Sequence, residues 1–187
     1  MAFLISMKNF ISDLNIDKTW TLFLDRDGVI NVRFPGDYVK RVAEFEFLPG
    51  VPEAIAKLSN VFGKIIVVTN QQGIARGVYS HEDLFEIHSH MKSEVEKYGG
   101  KITNVYYAPQ SSKENSPMRK PGIGMALQAK KDFPEIDFAK SIMVGDTQSD
   151  MEFGKTAGMK TVFVGDDELK VEVDGKFDSL KDFSLEF

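Results

Sequence analysis

Leu22-Phe23-Leu24-Asp25-Arg26-Asp27-Gly28-Val29-Ile30 sets a strongly apolar run against two carboxylates placed two residues apart. The run begins at Trp20, is short and continuous, and suits a strand buried on both faces of a sheet. Similar runs recur at Ile65 to Val68, Val105 to Tyr107, Ile142 to Val144 and Thr161 to Val164. Helical patterns lie between them. Val51, Ala54, Ile55 and Leu58 share one helical face, and Pro52 fits its first turn. Ser80 and Asp83 form a capping-box pattern, and Leu84, Ile87, Met91 and Val95 follow at helical spacing. Two further helices are predicted, one from about Ile123 to Asp132, stopping before Pro134, and one from about Asp150 to Gly158. Strands alternating with helices predict an α/β fold: a Rossmann-like, doubly wound, mainly parallel sheet with helices on both faces.

Composition narrows the function classes. A chain of 187 residues suits one domain spanning residues 1–187. No apolar run reaches the ~20 residues of a membrane span. Met1 to Met7 is apolar but lacks a basic flank and a small-residue cleavage site, and reads as part of the fold. Cysteine is absent, which excludes disulfides, thiolate metal sites and cysteine nucleophiles and fits a reducing, cytoplasmic setting. A formal net charge of −5 offers no general attraction to nucleic acid or anionic lipid. Residues 1–19 fit either a short helix or an added edge strand. Phe177 to Phe187 fits a final helix against the sheet.

An open parallel sheet binds ligands outside the carboxyl ends of its strands, and the polar residues cluster there. Asp25 and Asp27 follow the first strand, Thr69 and Asn70 the second, Asp146 the fourth. Buried carboxylates need compensation, which magnesium and a phosphate ligand supply, although Asp27-Gly28 alone reads as a polar turn. Thr69-Asn70-Gln71-Gln72-Gly73 offers a hydroxyl and amides for phosphate oxygens, or simply a polar loop. Arg119-Lys120 before a helix can neutralise a transferring phosphoryl group or form a solvated basic pair. Val144-Gly145-Asp146 offers a metal ligand, while Asp150 reads as a helix cap whose part in metal binding stays open.

In this order, Asp-Arg-Asp-Gly, Thr-Asn-Gln-x-Gly-Ile-Ala-Arg-Gly, Arg-Lys-Pro and Val-Gly-Asp closely resemble the haloacid dehalogenase superfamily of aspartate-nucleophile phosphatases. Within it the chain resembles the histidinol-phosphate and heptose bisphosphate phosphatase group over about residues 20–165. Gly36-Asp37-Tyr38-Val39 and Phe45 to Gly50 also match that group. The resemblance implies a Mg²⁺-dependent phosphatase acting on a small phosphorylated metabolite, with Asp25 as nucleophile and Asp27 as acid and base. Asp25, the Asp27 main-chain carbonyl and Asp146 would hold the metal. Thr69 and Lys120 would bind the transferring phosphoryl group, and Asn31, Asn70, Gln71 and Arg119 would contact substrate.

Two departures qualify that expectation. The group often carries a zinc loop, but Ala108, Gln110, Ser116 and Met118 stand at its ligand positions, so no zinc is expected. His81, His88 and His90 read as solvated helix residues and do not replace it. No insertion is long enough for a large cap domain, so the pocket should be covered by short loops at Arg33 to Tyr38, Gln71 to Arg76 and Pro109 to Met118. Sugar phosphates, a heptose bisphosphate among them, rank ahead of histidinol phosphate. A polynucleotide 3′-phosphatase and a non-catalytic phosphate-binding protein are the remaining alternatives. A capless enzyme of this size is compatible with a monomer.

Overall fold

Side chains alternate across the sheet, and each apolar run feeds both faces at once. The computed structural model describes residues 10–187; the reading of Met1 to Met7 lies outside them. Strands β1 (Thr21–Leu24), β2 (Lys64–Asn70), β3 (Asn104–Ala108), β4 (Ser141–Gly145), β5 (Lys160–Val164) and β6 (Gly175–Phe177) form one sheet in the order β3-β2-β1-β4-β5-β6. Every pairing between neighbouring strands is parallel. Leu22, Leu24, Ile65, Val67, Ile142 and Val144 face one core with Val51, Ile55, Leu58, Ile87, Met91 and Val95. Phe23, Ile66, Val68 and Met143 face the other with Met125, Ala126, Ala129 and Phe153.

The helices are α1 (Val51–Val61), α2 (His81–Lys97), α3 (Gly124–Asp132), α4 (Gln148–Ala157) and α5 (Leu180–Ser184). Helix α2 begins at a complete Ser80–Asp83 capping box. Helix α4 ends at Gly158 in the left-handed conformation that glycine adopts without strain. Residues 10–13 are helical, with Ile11 buried in the first core. The final helix is short, and the preceding strand β6 was not foreseen; three residues carry too little periodicity to read.

Strand order reverses direction of growth at β1, with β2 on one side and β4 on the other. This is the switch point where loops diverge and leave a crevice. Residues 25–50 contain one 3₁₀ turn (Val42–Glu44), and residues 109–123 another (Ser112–Glu114), so neither segment among the described residues holds a cap domain. The second loop keeps its shape through local hydrogen bonds. Ser111 and Glu114 cap each other, Arg119 N–H donates to Ser116 O at 3.1 Å, and Gly124 N–H donates to Pro117 O at 2.8 Å.

Candidate active site

Asp25 continues β1, its N–H donating to Val144 O at 3.0 Å. Its Oδ1 accepts from Arg26 N–H at 2.7 Å and lies 2.8 Å from Lys120 Nζ. Lys120 is almost wholly buried, and its ammonium also meets Asp150 Oδ1 at 2.6 Å and Val68 O at 2.7 Å. The ammonium thus pairs with two carboxylates and donates to one carbonyl. Asn70 fixes the lysine's main chain from both sides, accepting from Lys120 N–H at 3.0 Å and donating to Lys120 O at 3.2 Å. Asp150 is fully buried; its other oxygen accepts from Thr147 N–H and Oγ1, completing a capping box at the start of α4.

The chain then turns tightly. Val29, Ile30 and Asn31 N–H all donate to Arg26 O. Gly28 sits at φ +93°, and a Cβ there would lie 2.1 Å from Asp146 Oδ2, so glycine alone lets the turn approach that carboxylate. The turn aims Asp27 into the site. Asp27 Oδ1 accepts from Arg26 Nη2 at 2.8 Å and Asn31 Nδ2 at 3.0 Å, and Oδ2 accepts from Gln71 Nε2 at 2.8 Å. Burial would raise the Asp27 pKa, but the Arg26 guanidinium and the hydrogen bonds from Arg26, Asn31 and Gln71 outweigh it and hold the carboxyl below its usual range. Thr69, at the end of β2, is buried, and its Oγ1 accepts from the same Gln71 amide at 2.8 Å. Tyr79 O–H donates to Gln71 Oε1 and fixes which way that amide faces.

Asp25, Asp146 and Asp150 bring carboxylate oxygens within 4.8 Å of one another. Against the Lys120 ammonium and the half-exposed Arg33 guanidinium, three ionised carboxylates leave one negative charge unbalanced. Burial, opposed by Lys120 and reinforced by Asp150 and Asp146, pushes Asp25 up to about 8. Burial and Asp150 push Asp146 up to about 6. Asp146 Oδ1 is buried without a hydrogen-bond partner, while Oδ2 meets the half-exposed Arg33 at 3.2 Å. A divalent cation with a preference for hard oxygen fits this set. Asp146 is the better ligand, because both oxygens of Asp150 are already engaged by Lys120 and Thr147.

The cavity above these groups has a volume of about 300 Å³. Asp25, Asp27, Thr69 and Lys120 line its floor; Arg33, Phe34, Tyr38, Arg76 and Arg119 line its walls. The structure therefore brings together Asp25, Asp27, Thr69, Asn70, Gln71, Arg119, Lys120 and, at their side, Asp146.

Several sequence expectations change. Asn31 is fully buried and does not line the cavity; its amide serves Asp27 and Val32 O instead of a substrate. Asn70 and Gln71 line the cavity, yet their amides hold Lys120, Asp27 and Thr69. The loop Pro109 to Met118 contributes nothing to the lining; Thr147 and Ser149 do, and Phe34 joins Tyr38 as a second aromatic group. His88 is not solvated. It is 7% exposed and meets Arg26 Nη1 at 3.1 Å. Its position was legible: Leu84, His88, Met91 and Val95 lie on one face of α2 at four-, three- and four-residue steps.

Comparison with known proteins settles the family. Residues 21–183 match the family described as Polynucleotide kinase 3 phosphatase. The D-glycero-alpha-D-manno-heptose-1,7-bisphosphate 7-phosphatase of Mycobacterium bovis is 36% identical over 171 residues, 89% of this chain and 90% of its own length. The chain belongs to the haloacid dehalogenase superfamily, in its heptose bisphosphate phosphatase group. It is therefore a phosphoric monoester hydrolase. The D-glycero-beta-D-manno-heptose-1,7-bisphosphate 7-phosphatase of Vibrio cholerae is 41% identical over 147 residues, 75% of this chain and 77% of its own. The crystal structure of D,D-heptose 1,7-bisphosphate phosphatase from B. bronchiseptica, complexed with magnesium and phosphate, superimposes with a TM-score of 0.81. It is 27% identical to this phosphatase and covers 89% of this chain and 96% of its own.

Proposed function

We propose that this phosphatase hydrolyses a small phosphorylated sugar, a heptose bisphosphate first, through an aspartyl phosphate on Asp25 and with Mg²⁺. The observation that carries the reading is the Asp25 carboxylate 2.8 Å from the buried Lys120 ammonium, with Asp27 held by four side-chain hydrogen bonds two residues on. Asp25 attacks phosphorus, and the bond from phosphorus to the leaving oxygen breaks as Asp27 gives that oxygen its proton. Asp27, now a carboxylate, takes a proton from water. The water oxygen attacks phosphorus and breaks the bond to Asp25, restoring both side chains and releasing phosphate. Thr69 and Lys120 bind the phosphoryl oxygens. Asp25, Asp146 and the Asp27 main-chain carbonyl would hold magnesium, which would supply further neutralisation of phosphoryl charge. Asp150 and Asn70 hold Lys120 in place.

The hydrogen bonds around Asp27 favour its carboxylate, the form that activates water. A phosphate dianion placed between Asp25 and Lys120 sets negative charge beside Asp27 and raises its proton affinity, so substrate arrival loads the acid.

Magnesium affinity is expected to fall with pH. Asp25 and Asp146 have raised pKa values, about 8 and about 6, so at low pH each holds a proton that the cation must displace. The loss should approach tenfold per pH unit for each displaced proton below those values. Calorimetric Mg²⁺ titration at about pH 6 and about pH 8 should show weaker binding and greater proton release at the lower pH. Equal affinities would remove the carboxylates from the metal site. The same reading has no zinc in the protein, and elemental analysis after dialysis checks it.

The substrate class follows from the walls. Arg33, Arg76 and Arg119 border a cavity with few aromatic groups, which suits a hydroxyl-rich ligand carrying a second phosphate. Both curated relatives carry heptose bisphosphate names. A soluble cytoplasmic metabolite, without nucleic acid or membrane, completes this assignment, and the acidic balance supports it. The test is kcat/KM over heptose bisphosphates of both anomers, sugar monophosphates, histidinol phosphate and a 3′-phosphorylated oligonucleotide. A heptose bisphosphate should lead by at least about tenfold, as paired polar groups discriminate strongly. A leading oligonucleotide would overturn the class.

A further inference from the structure

Arg26 lies between two acidic residues, and its guanidinium is 1% exposed. A buried cation needs every donor engaged. Nε and Nη2 donate to Asp27 Oδ1 at 3.3 and 2.8 Å. Nη1, on the far side, lies 3.1 Å from His88 Nε2. A guanidinium carries donors only, so His88 must accept at Nε2 and bear its proton on Nδ1. Its ring also meets Tyr107 edge-on at 6.1 Å between centroids, which fixes its plane. Burial, helped by Arg26, holds the imidazole pKa down to about 3, consistent with a neutral acceptor.

We infer that His88 is a positioning residue for the acid–base step, acting through Arg26 to hold the Asp27 carboxyl toward the leaving oxygen. The inference rests on the assignment of Asp27 as the acid. Its reasoning is geometric. Arg26 and Asp27 are sequence neighbours on a tight turn, and the two bonds to Asp27 Oδ1 hold only one edge of the guanidinium, leaving Nη1 to be anchored from outside the turn. Helix α2 supplies that anchor from 62 residues away. Gln71, itself oriented by Tyr79, holds the other Asp27 oxygen. A proton donor must sit within a narrow angle of the departing oxygen, and small rotations reduce transfer steeply.

The test separates acid positioning from general support. The rate kcat/KM covers events up to expulsion of the leaving group, where Asp27 gives its proton. Phenolate is a poor leaving group and needs that proton; 2,4-dinitrophenolate departs without it. His88→Phe keeps a ring against Tyr107 but removes the acceptor. It should lose roughly tenfold more kcat/KM on phenyl phosphate than on 2,4-dinitrophenyl phosphate, a fraction of the full value of an acid. His88→Gln, which restores an acceptor, should recover most of the difference. His88→Leu repeats the measurement should His88→Phe fail to fold. Asp27→Asn, run alongside, should discriminate between the two esters more strongly than either. Equal losses on both esters in the His88 variants, with discrimination retained in Asp27→Asn, would reject the positioning role alone. No discrimination in Asp27→Asn would reject the acid assignment and this inference with it.

Discussion

Asp25→Asn is expected to lower kcat by on the order of 10⁴-fold or more, as loss of a nucleophile does elsewhere, while the folded protein becomes no less stable. The first half follows from chemistry: a neutral amide cannot form the aspartyl phosphate, and nothing beside it takes over. Asp150 is fully buried and bound to Lys120 and Thr147; Asp146 is not among the residues that line the cavity. The second half follows from electrostatics. Asp25 is raised to about 8 because burial and two neighbouring carboxylates disfavour its charge despite Lys120. A folded pKa above the unfolded value of about 3.9 means the folded state binds the extra proton between those values. Its stabilising effect is complete below the unfolded pKa and is lost as pH rises through about 8. Asparagine escapes that loss, keeps the oxygen that accepts from Arg26 N–H, and leaves Lys120 paired with Asp150. Thermal unfolding near pH 8 without metal should therefore give an equal or higher Tm for the variant. Full turnover in the folded variant would end the covalent mechanism; a large fall in Tm would show that Asp25 supports the fold.

The second large effect falls on Lys120. Its ammonium satisfies Asp25, Asp150 and the Val68 carbonyl together, all in a buried setting. Lys120→Met fills the space of the stem but takes the ammonium from all three acceptors, leaving Asp25 Oδ1 with the Arg26 N–H alone. Removing one partner of a buried charge network costs about 3 kcal/mol or more. The deficit has a direction in pH. Without the ammonium, the Asp25 carboxyl, already raised with the lysine present, is raised further. The folded variant then binds a proton that the unfolded chain gives up. Wild type holds the same proton up to about 8, so the variant's deficit should stay level from about pH 5 toward pH 8 and grow above it. Divalent charge replaces part of the lost positive charge, so added Mg²⁺ should recover part of the stability. Activity should still fall by on the order of 10²- to 10³-fold, the usual effect of deleting one donor to developing charge. Urea unfolding at about pH 7 and about pH 9, with and without Mg²⁺, reads the first effect; kcat under conditions where the variant is folded reads the second. A deficit that stays level above about pH 8 as well would place the Lys120 contribution in packing instead of charge.

Two kinds of information separate cleanly in this protein. Strand ends, parallel order and the residues that line the floor were legible because each depends on a few neighbours in sequence. Leu22 to Leu24 must be buried on both faces, so Asp25 and Asp27 must emerge where the strand stops. The same reasoning places Thr69 and Asp146 at strand ends beside one crevice, and Lys120 was legible only as a lysine fixed before a helix. The Ser80–Asp83 box and the Gly158 cap were legible for the same reason: each closes within four residues.

What the amide and imidazole groups do was decided by packing alone. Asn31 was expected to meet substrate, but the turn stacks three N–H groups on the Arg26 carbonyl and swings Asn31 onto Asp27. Gln71 reaches Asp27 across 44 positions, and Asn70 clasps Lys120 across 50. His88 was expected to be solvated although it sits on the apolar stripe of α2; residue type outweighed periodicity, and only the tertiary fold supplied the buried Arg26 that makes an inward histidine stable. A polar side chain's residue type states which hydrogen bonds it can form. Which partner satisfies them depends on desolvation, and desolvation is a property of the assembled core, set by contacts that no local stretch of sequence contains.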